Sequence, residues 1–270
     1  MKLIILGFDG LNWATAKVLS LRNPAIRLLF QKRWGIYNVE ADKYSSIYLW
    51  SSIITGIPPN QLGKLLFVER KHAPSWARRL PEPIKKLGRK ILKPYPPSIK
   101  GRYETIFDAI QPSLPFNVLA YNEDTRQFKL RLRYSLVETI GNREKSLEAY
   151  REWLEWNKFQ ASEFLSKLLT EEWTLAMTHF WIIDIANHLL GEEKNHETYG
   201  FAAETLQKIS HYFKDRAAIL IISDHGTYQR LHTPEAFWSL NIDPPLKPRF
   251  ITDFKKLILS LVRRETTCET

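Results

Sequence analysis

The run Ala217–Gly226, AAILIISDHG, constrains the fold more than any other stretch of the chain. An unbroken apolar segment rich in β-branched residues is the signature of a strand covered on both faces, as in a parallel sheet with helices on either side. The run stops abruptly at Asp224 and His225. A carboxylate and an imidazole at the C-terminal end of such a strand sit on the rim of the sheet, where ligands bind in open α/β folds. Two polar groups that close a buried run also need partners.

The rest of the chain repeats the pattern. Lys2–Phe8 (KLIILGF) reads as a strand that turns at Asp9-Gly10, and Asn12–Leu21 as the helix after it. Gly35–Glu40 is a short strand, and Ser45–Thr55 a helix stopped by Gly56 and Pro58-Pro59. Tyr103–Ile110 has helical spacing, Phe116–Tyr121 reads as a strand, and Asn122–Asn142 gives no clear pattern. Ser146–Leu169 is a long amphipathic helix whose Trp153 and Trp156 read as core anchors. Trp173–Phe180 is a buried strand. Ile182–Leu190 carries Asp184 and His188, and Glu197–Phe213 is a second long helix. A loop containing His232 follows the opening strand, and a helix spans about Asp253–Val262. Strands alternating with helices predict an α/β fold with a mainly parallel central sheet flanked by helices.

Length and composition fit one large domain over residues 1–270, or a core with an insertion, with a core affordable at 44% hydrophobic and 25% charged residues. No stretch approaches the ~18 apolar residues that span a bilayer. The single cysteine, Cys268, excludes a disulfide framework and a cysteine metal site, which points to the cytoplasm. The net charge of +10 is concentrated: Lys64 to Arg102 holds 12 Lys or Arg against Glu69 and Glu82. This proline-punctuated insertion, about 57–102 with a short helix at Ile84–Leu92, is either a solvated face or a basic flap. A flap would attract an anionic partner such as nucleic acid, a membrane surface or a phosphorylated substrate.

Acids and histidines collect where strands end: Asp9, then Asp184 with His188, then Asp224 with His225, then His232. Asp9 alone could be a helix cap, and Asp184 with His188 an ordinary i, i+4 pair. Together, three carboxylates and three imidazoles are a donor set for two divalent cations, with zinc suited and manganese or iron as alternatives. Two such cations clamp the attacking and leaving oxygens of a phosphoryl transfer. His72, His179, His196 and His211 have no such setting and read as structural.

The order of these elements resembles the alkaline phosphatase superfamily, in particular its type I phosphodiesterase/nucleotide pyrophosphatase-like phosphohydrolases. The matching residues are GFDGLNW (Gly7–Trp13), SSIYLWSSIITGIPP (Ser45–Pro59), TIFDAI (Thr105–Ile110), DIANH (Asp184–His188) and ISDHG (Ile222–Gly226), followed by His232. The resemblance implies an alkaline phosphatase-like fold, with one metal on Asp9, Asp224 and His225 and the other on Asp184, His188 and His232. The family's nucleophile lies ten residues before the glycine of Thr55-Gly56-Ile57-Pro58, which gives Ser46, or Ser45 if the register slips by one. Ser46 also reads as a helix N-cap, and both roles are compatible because a helix N-terminus favours a bound phosphate. The implied activity is a metal-dependent phosphodiesterase or phosphomonoesterase that passes through a phosphoserine.

Several family features are missing. Leu62-Gly63 stands where the family often has His-Gly, and Leu49 where nucleotide pyrophosphatases place a phosphoryl-binding Asn. Ser46–Trp50 lacks the Pro and Arg of a sulfatase. With little chain after His232 no large cap is expected, and the basic insertion is the candidate lid. The alternatives are a phosphomutase that uses the same two-metal site, or a module binding nucleic acid or another acidic partner beside an idle site. All six candidate ligands and the serine are present, which argues against an idle site.

Overall fold

The computed structural model describes residues 1–40, 45–62, 98–134 and 141–263. Six strands form one sheet: β1 (Lys2–Phe8), β2 (Arg33–Asn38), β3 (Ser113–Phe116), β4 (Leu175–Phe180), β5 (Ala217–Ile222) and β8 (Glu235–Leu240), in the order β2-β8-β5-β1-β4-β3. Strands β5, β1, β4 and β3 run parallel. Strand β8 is antiparallel to β5, and β2 antiparallel to β8. Every residue of β4 and β5 is buried, and every residue of β1 except Lys2, as apolar runs without alternation require. A separate two-stranded ribbon, β6 (Gly226–Tyr228) with β7 (Leu231–Thr233), follows β5.

The helices are α1 (Trp13–Ser20), α2 (Ser46–Thr55), α3 (Ile106–Ala109), α4 (Thr125–Arg133), α5 (Arg143–Thr170), α6 (Ile182–Leu190), α7 (Asn195–Phe213) and α8 (Asp253–Arg263). Helices α2, α3 and α8 pack together, with α8 against β1. Helix α7 packs on β5, α6, α5 and the 3-10 turn Pro24–Leu29. Trp153 is buried in the core and Trp156 is half-buried against it, its Nε1 donating to Gln127 Oε1 at 3.3 Å. Helix α2 ends where the sequence predicts. Gly56 takes the left-handed conformation at φ +73° and its N–H donates to Ser52 O at 2.8 Å.

Three expectations change. The strand read at Phe116–Tyr121 is instead the last residue of β3 followed by an irregular buried turn. Asn117 and Ala120 have positive φ there, and the Asn122 side chain accepts from Val118 N. Its apolar residues serve the core without a ladder. The unassigned stretch 122–142 contains α4, capped by Asp124, which accepts from Arg126 N. The loop read around His232 holds the β6–β7 ribbon and then β8, whose antiparallel pairing extends the sheet beyond β5. The remaining elements stand within a few residues of their predicted bounds. Most of the basic insertion, with the Ile84–Leu92 helix, and Cys268 lie outside the described residues. Among the described residues no helix is long and apolar enough to cross a membrane.

Candidate active site

Parallel pairing brings the ends of β1, β4 and β5 to one rim. Gly7 lies between His179 and Ile222 in register, so Asp9, the segment after Phe180 and the segment after Ile222 emerge together. Asp9 N donates to Phe180 O at 2.9 Å. Gly10 then turns the chain with φ +72°, and a Cβ there would come within 2.9 Å of Asp184 Cβ, so only glycine fits. Its carbonyl accepts from Thr227 N and Thr227 Oγ1 at 3.1 and 2.8 Å, which ties the ribbon to β1. Its N–H faces Asp224 Oδ1 at 3.4 Å.

The predicted residues converge on this rim. Asp9, Asp224 and His225 are fully buried, and Asp184 and Ser46 nearly so. His225 Nε2 lies 3.2 Å from Asp9 Oδ1 and 3.6 Å from Asp224 Oδ2. Its Nδ1 faces Gly226 O at 3.1 Å, and the carbonyl of His225 itself accepts from Ser223 Oγ at 2.6 Å. An Nδ1–H donated to a carbonyl leaves Nε2 as the nitrogen available to a ligand. Tyr37 OH donates to Ser223 O and holds the loop from below.

The second group sits beside the first. Asp184 Oδ1 is 3.3 Å from His188 Nε2 and 3.4 Å from His232 Nε2, and the two imidazole nitrogens are 2.7 Å apart. Two ring nitrogens that close cannot both carry a hydrogen toward each other, and both aim at one point with Asp184. The His225 and His232 rings are 4.0 Å apart, so the two groups abut.

Ser46 opens α2. Its Oγ lies 3.2 Å from Asp9 Oδ1 and 3.4 Å from His225 Nε2. Ser45 is the N-cap residue; its carbonyl accepts from Tyr48 N at 2.9 Å, but its side chain makes no cap bond, so the Ser46 and Ile47 amides are not closed off by their own cap. Of the two serines considered in the sequence, Ser46 is the one whose hydroxyl contacts the cluster.

The electrostatics are those of carboxylates crowded without cations. Burial pushes the Asp184 carboxyl up, but the adjacent His188 and His232 imidazoles outweigh it and hold the group well below the usual carboxylate range. Burial and the Asp184 charge raise Asp9, and the bonds from His179 and His225 bring it below its ordinary value. For Asp224 burial and the Asp9 charge outweigh the attraction of His225 and drive it well above that range. Burial opposes charge on His225, yet the Asp224 and Asp9 carboxylates push it up to about 10. His188 is raised by Asp184 against its own burial. The cluster thus favours protons on Asp224, His225 and His188 while Asp9 and Asp184 stay charged.

The donors suit divalent metals. Ligand atoms of Asp184, His188 and His232 lie within 4.8 Å of one another, as do those of Asp9, Asp184 and His225. Asp184 belongs to both groups, whereas the sequence grouped Asp224 with Asp9 and His225. Asp184 Oδ1 and Asp224 Oδ2 are buried without a hydrogen bond in the described structure, as expected of oxygens shaped for an ion. Oxygen and imidazole donors in these numbers fit zinc, manganese or iron.

One residue of the site escaped the sequence reading. His179, read there as structural, is fully buried on β4 with Nε2 3.2 Å from Asp9 Oδ2. The available signal was positional: in a parallel sheet, a polar residue one place before the end of β4 lies level with the end of β1. His196 and His211 lie on α7, and His72 lies outside the described residues.

No protein-family model matches the sequence, and no curated protein matches it. Among solved structures, a protein in the alkaline phosphatase superfamily from Vibrio parahaemolyticus matches 97% of this chain with a TM-score of 0.50 at 15% identity. The chain spans 66% of that protein's length. At this identity the likeness is one of fold: the chain has an alkaline phosphatase-like α/β fold.

Proposed function

We propose that the protein is a two-metal phosphohydrolase, acting on a phosphodiester or phosphomonoester through a phosphoserine at Ser46. The observation that carries this reading is the position of Ser46 Oγ, at a helix N-terminus and 3.2 Å from Asp9 Oδ1 within a cluster of three carboxylates and imidazoles. Asp9, Asp224 and His225 would hold one cation and Asp184, His188 and His232 the other, with Asp184 close enough to face both. Bound divalent cations, zinc foremost, would lower the pKa of the serine hydroxyl and neutralise charge on the phosphoryl group.

The protein's own groups supply the rest. Asp9 Oδ1 accepts the hydrogen bond of the Ser46 hydroxyl and aims its lone pairs outward. The Ser46 and Ile47 amides at the start of α2 receive phosphoryl oxygens, a task the apolar Leu49 side chain cannot perform. Ser46 gives up its hydroxyl proton to solvent as Oγ attacks phosphorus in line, the bond to the leaving oxygen breaks, and that oxygen takes up a proton in its place. Water then attacks the phosphoserine, breaks its P–Oγ bond and returns the serine.

The substrate is a small phosphorylated molecule, and the basic insertion is the candidate anionic-partner site. The decisive assay compares bis-p-nitrophenyl phosphate with p-nitrophenyl phosphate, with zinc or chelator present. The expected result is chelator-sensitive release of nitrophenol from at least one of them. Release from neither would sink the hydrolase reading and favour a phosphomutase or a binding module. Salt-sensitive capture of RNA or DNA without turnover would select the module.

A further inference from the structure

The chemistry above gives His179 nothing to do, yet its surroundings are closely determined. A carboxylate only accepts, so the 3.2 Å contact requires that His179 Nε2 carry the hydrogen donated to Asp9 Oδ2. The ring is boxed edge-on between two indoles: Trp50 at 4.5 Å and 69°, and Trp181 at 5.3 Å and 85°. The His179 carbonyl accepts from Gln160 Nε2 at 2.8 Å, and the same amide donates to Thr178 Oγ1 at 2.8 Å. Trp181 is backed by the Arg131 guanidinium at 5.1 Å, and Arg131 pairs with buried Glu123 at 2.6 Å. The ring cannot leave Asp9 unless two tryptophans move.

The two oxygens of Asp9 therefore have different surroundings. Oδ1 meets Ser46 Oγ and His225 Nε2, each at 3.2 Å, while Oδ2 is taken by His179. Trp50 follows Ser46 by one helical turn on α2. Helix α2 thus reaches Asp9 twice, directly through Ser46 and again through Trp50 and His179.

We propose that His179 is a positioning residue for Asp9. It occupies Oδ2, so that Oδ1 alone is presented to Ser46 and to a cation, and it links the placement of the serine's helix to that oxygen. The inference rests on the two-cation phosphohydrolase reading. If His179 were only a core residue, replacing it would change stability and nothing else.

The test uses His179→Phe, which keeps the ring and removes the donor, and His179→Gln, whose amide nitrogen can reach Asp9 as Nε2 does. Zinc binding is measured by equilibrium dialysis against a chelator-buffered zinc series. Initial rates on bis-p-nitrophenyl phosphate give kcat and KM, and a circular-dichroism melt verifies folding. In His179→Phe, one of two zinc equivalents should weaken by about 10–100-fold while the other keeps its affinity. The kcat should fall with KM little changed, and His179→Gln should recover both. A folded His179→Phe that binds both equivalents as the wild type does overturns the proposal. So does a His179→Gln as defective as the Phe variant. If His179→Phe does not fold, His179→Asn replaces it: its shorter amide falls short of Asp9, and zinc affinity equal to that of His179→Gln overturns the proposal. Wild-type protein that binds fewer than two equivalents overturns the two-cation reading itself, and the proposal with it.

Discussion

A Cβ on Gly7 would lie 2.5 Å from Cη2 of Trp50. Strand β1 is bare where the Trp50 indole of helix α2 lies against it, and that close approach seats the helix so that Ser46 reaches Asp9. The helix that carries the candidate nucleophile is thus seated by an absent side chain.

Gly7→Ala should therefore act at a distance. Forcing a methyl group into that contact pushes Trp50 and α2 away from the sheet, at about 1–3 kcal/mol of stability. The same shift lengthens the Ser46–Asp9 contact, so kcat should fall more than the lost stability explains. A urea titration beside steady-state kinetics at low denaturant separates the two. Loss of stability with unchanged kcat would mean that α2 can shift without disturbing Ser46.

Ser46→Ala tests the nucleophile itself. Turnover should fall at least about a thousandfold, because no neighbouring group replaces an oxygen that forms the covalent intermediate. Zinc binding should persist, since all six carboxylate and imidazole donors remain. Radiolabel from a phosphorylated substrate should appear on the wild-type protein after an acid quench and be missing from the variant. Turnover retained in Ser46→Ala would remove the serine from the mechanism.

How much of this was legible beforehand follows from what each signal encodes. Strands β1, β4 and β5 are buried on both faces, so their apolar runs had no competing reading, and the polar residues that end them marked the rim. Strand β8 was missed because EAFWSL follows the His232 turn with no break in composition, and its place is decided by pairing with β5. Phe116–Tyr121 misled for the opposite reason. Its apolar residues are buried, but Asn117 and Ala120 adopt backbone angles that apolar content does not report. His179 was set aside because its partner lies 170 positions away, a relation that only the parallel register of β1 with β4 supplies. The grouping of Asp184 with Asp9 and His225 is likewise a matter of tertiary distance.

That shared position of Asp184 separates two isosteric substitutions. Asp184→Asn should weaken both cations, because ligand atoms of both three-residue groups lie around this carboxylate. Asp224→Asn should weaken one only, since Asp224 lies beside His225 and belongs to neither three-residue group. Zinc content after dialysis, measured by atomic emission, should fall below one equivalent in the first variant and stay near one in the second. Equal losses would make the two carboxylates equivalent and the sharing unnecessary.

The protons held by the cluster make the metal-free protein sensitive to alkali. His225 rises from 6.5 in the unfolded chain to about 10 in the fold, because the Asp224 and Asp9 carboxylates outweigh its burial. Between those values the folded state binds more protons than the unfolded one, so stability falls as pH rises. The contribution is complete below pH 6.5 and is lost as pH passes through the folded value. Asp224, also raised, adds to the same slope from its ordinary value upward. Asp9 and Asp184 are lowered, so their contribution is present above pH 3.8 and disappears only as pH falls into the acid range. In chelator, the melting temperature should therefore drop steadily from pH 6.5 to 9.5. Saturating zinc takes the place of these protons and should flatten that slope, while zinc binding near neutral pH releases protons that calorimetry in two buffers of different ionisation enthalpy can count. A melting temperature in chelator that does not fall between pH 6.5 and 9.5 would show that His225 carries no extra proton in the fold.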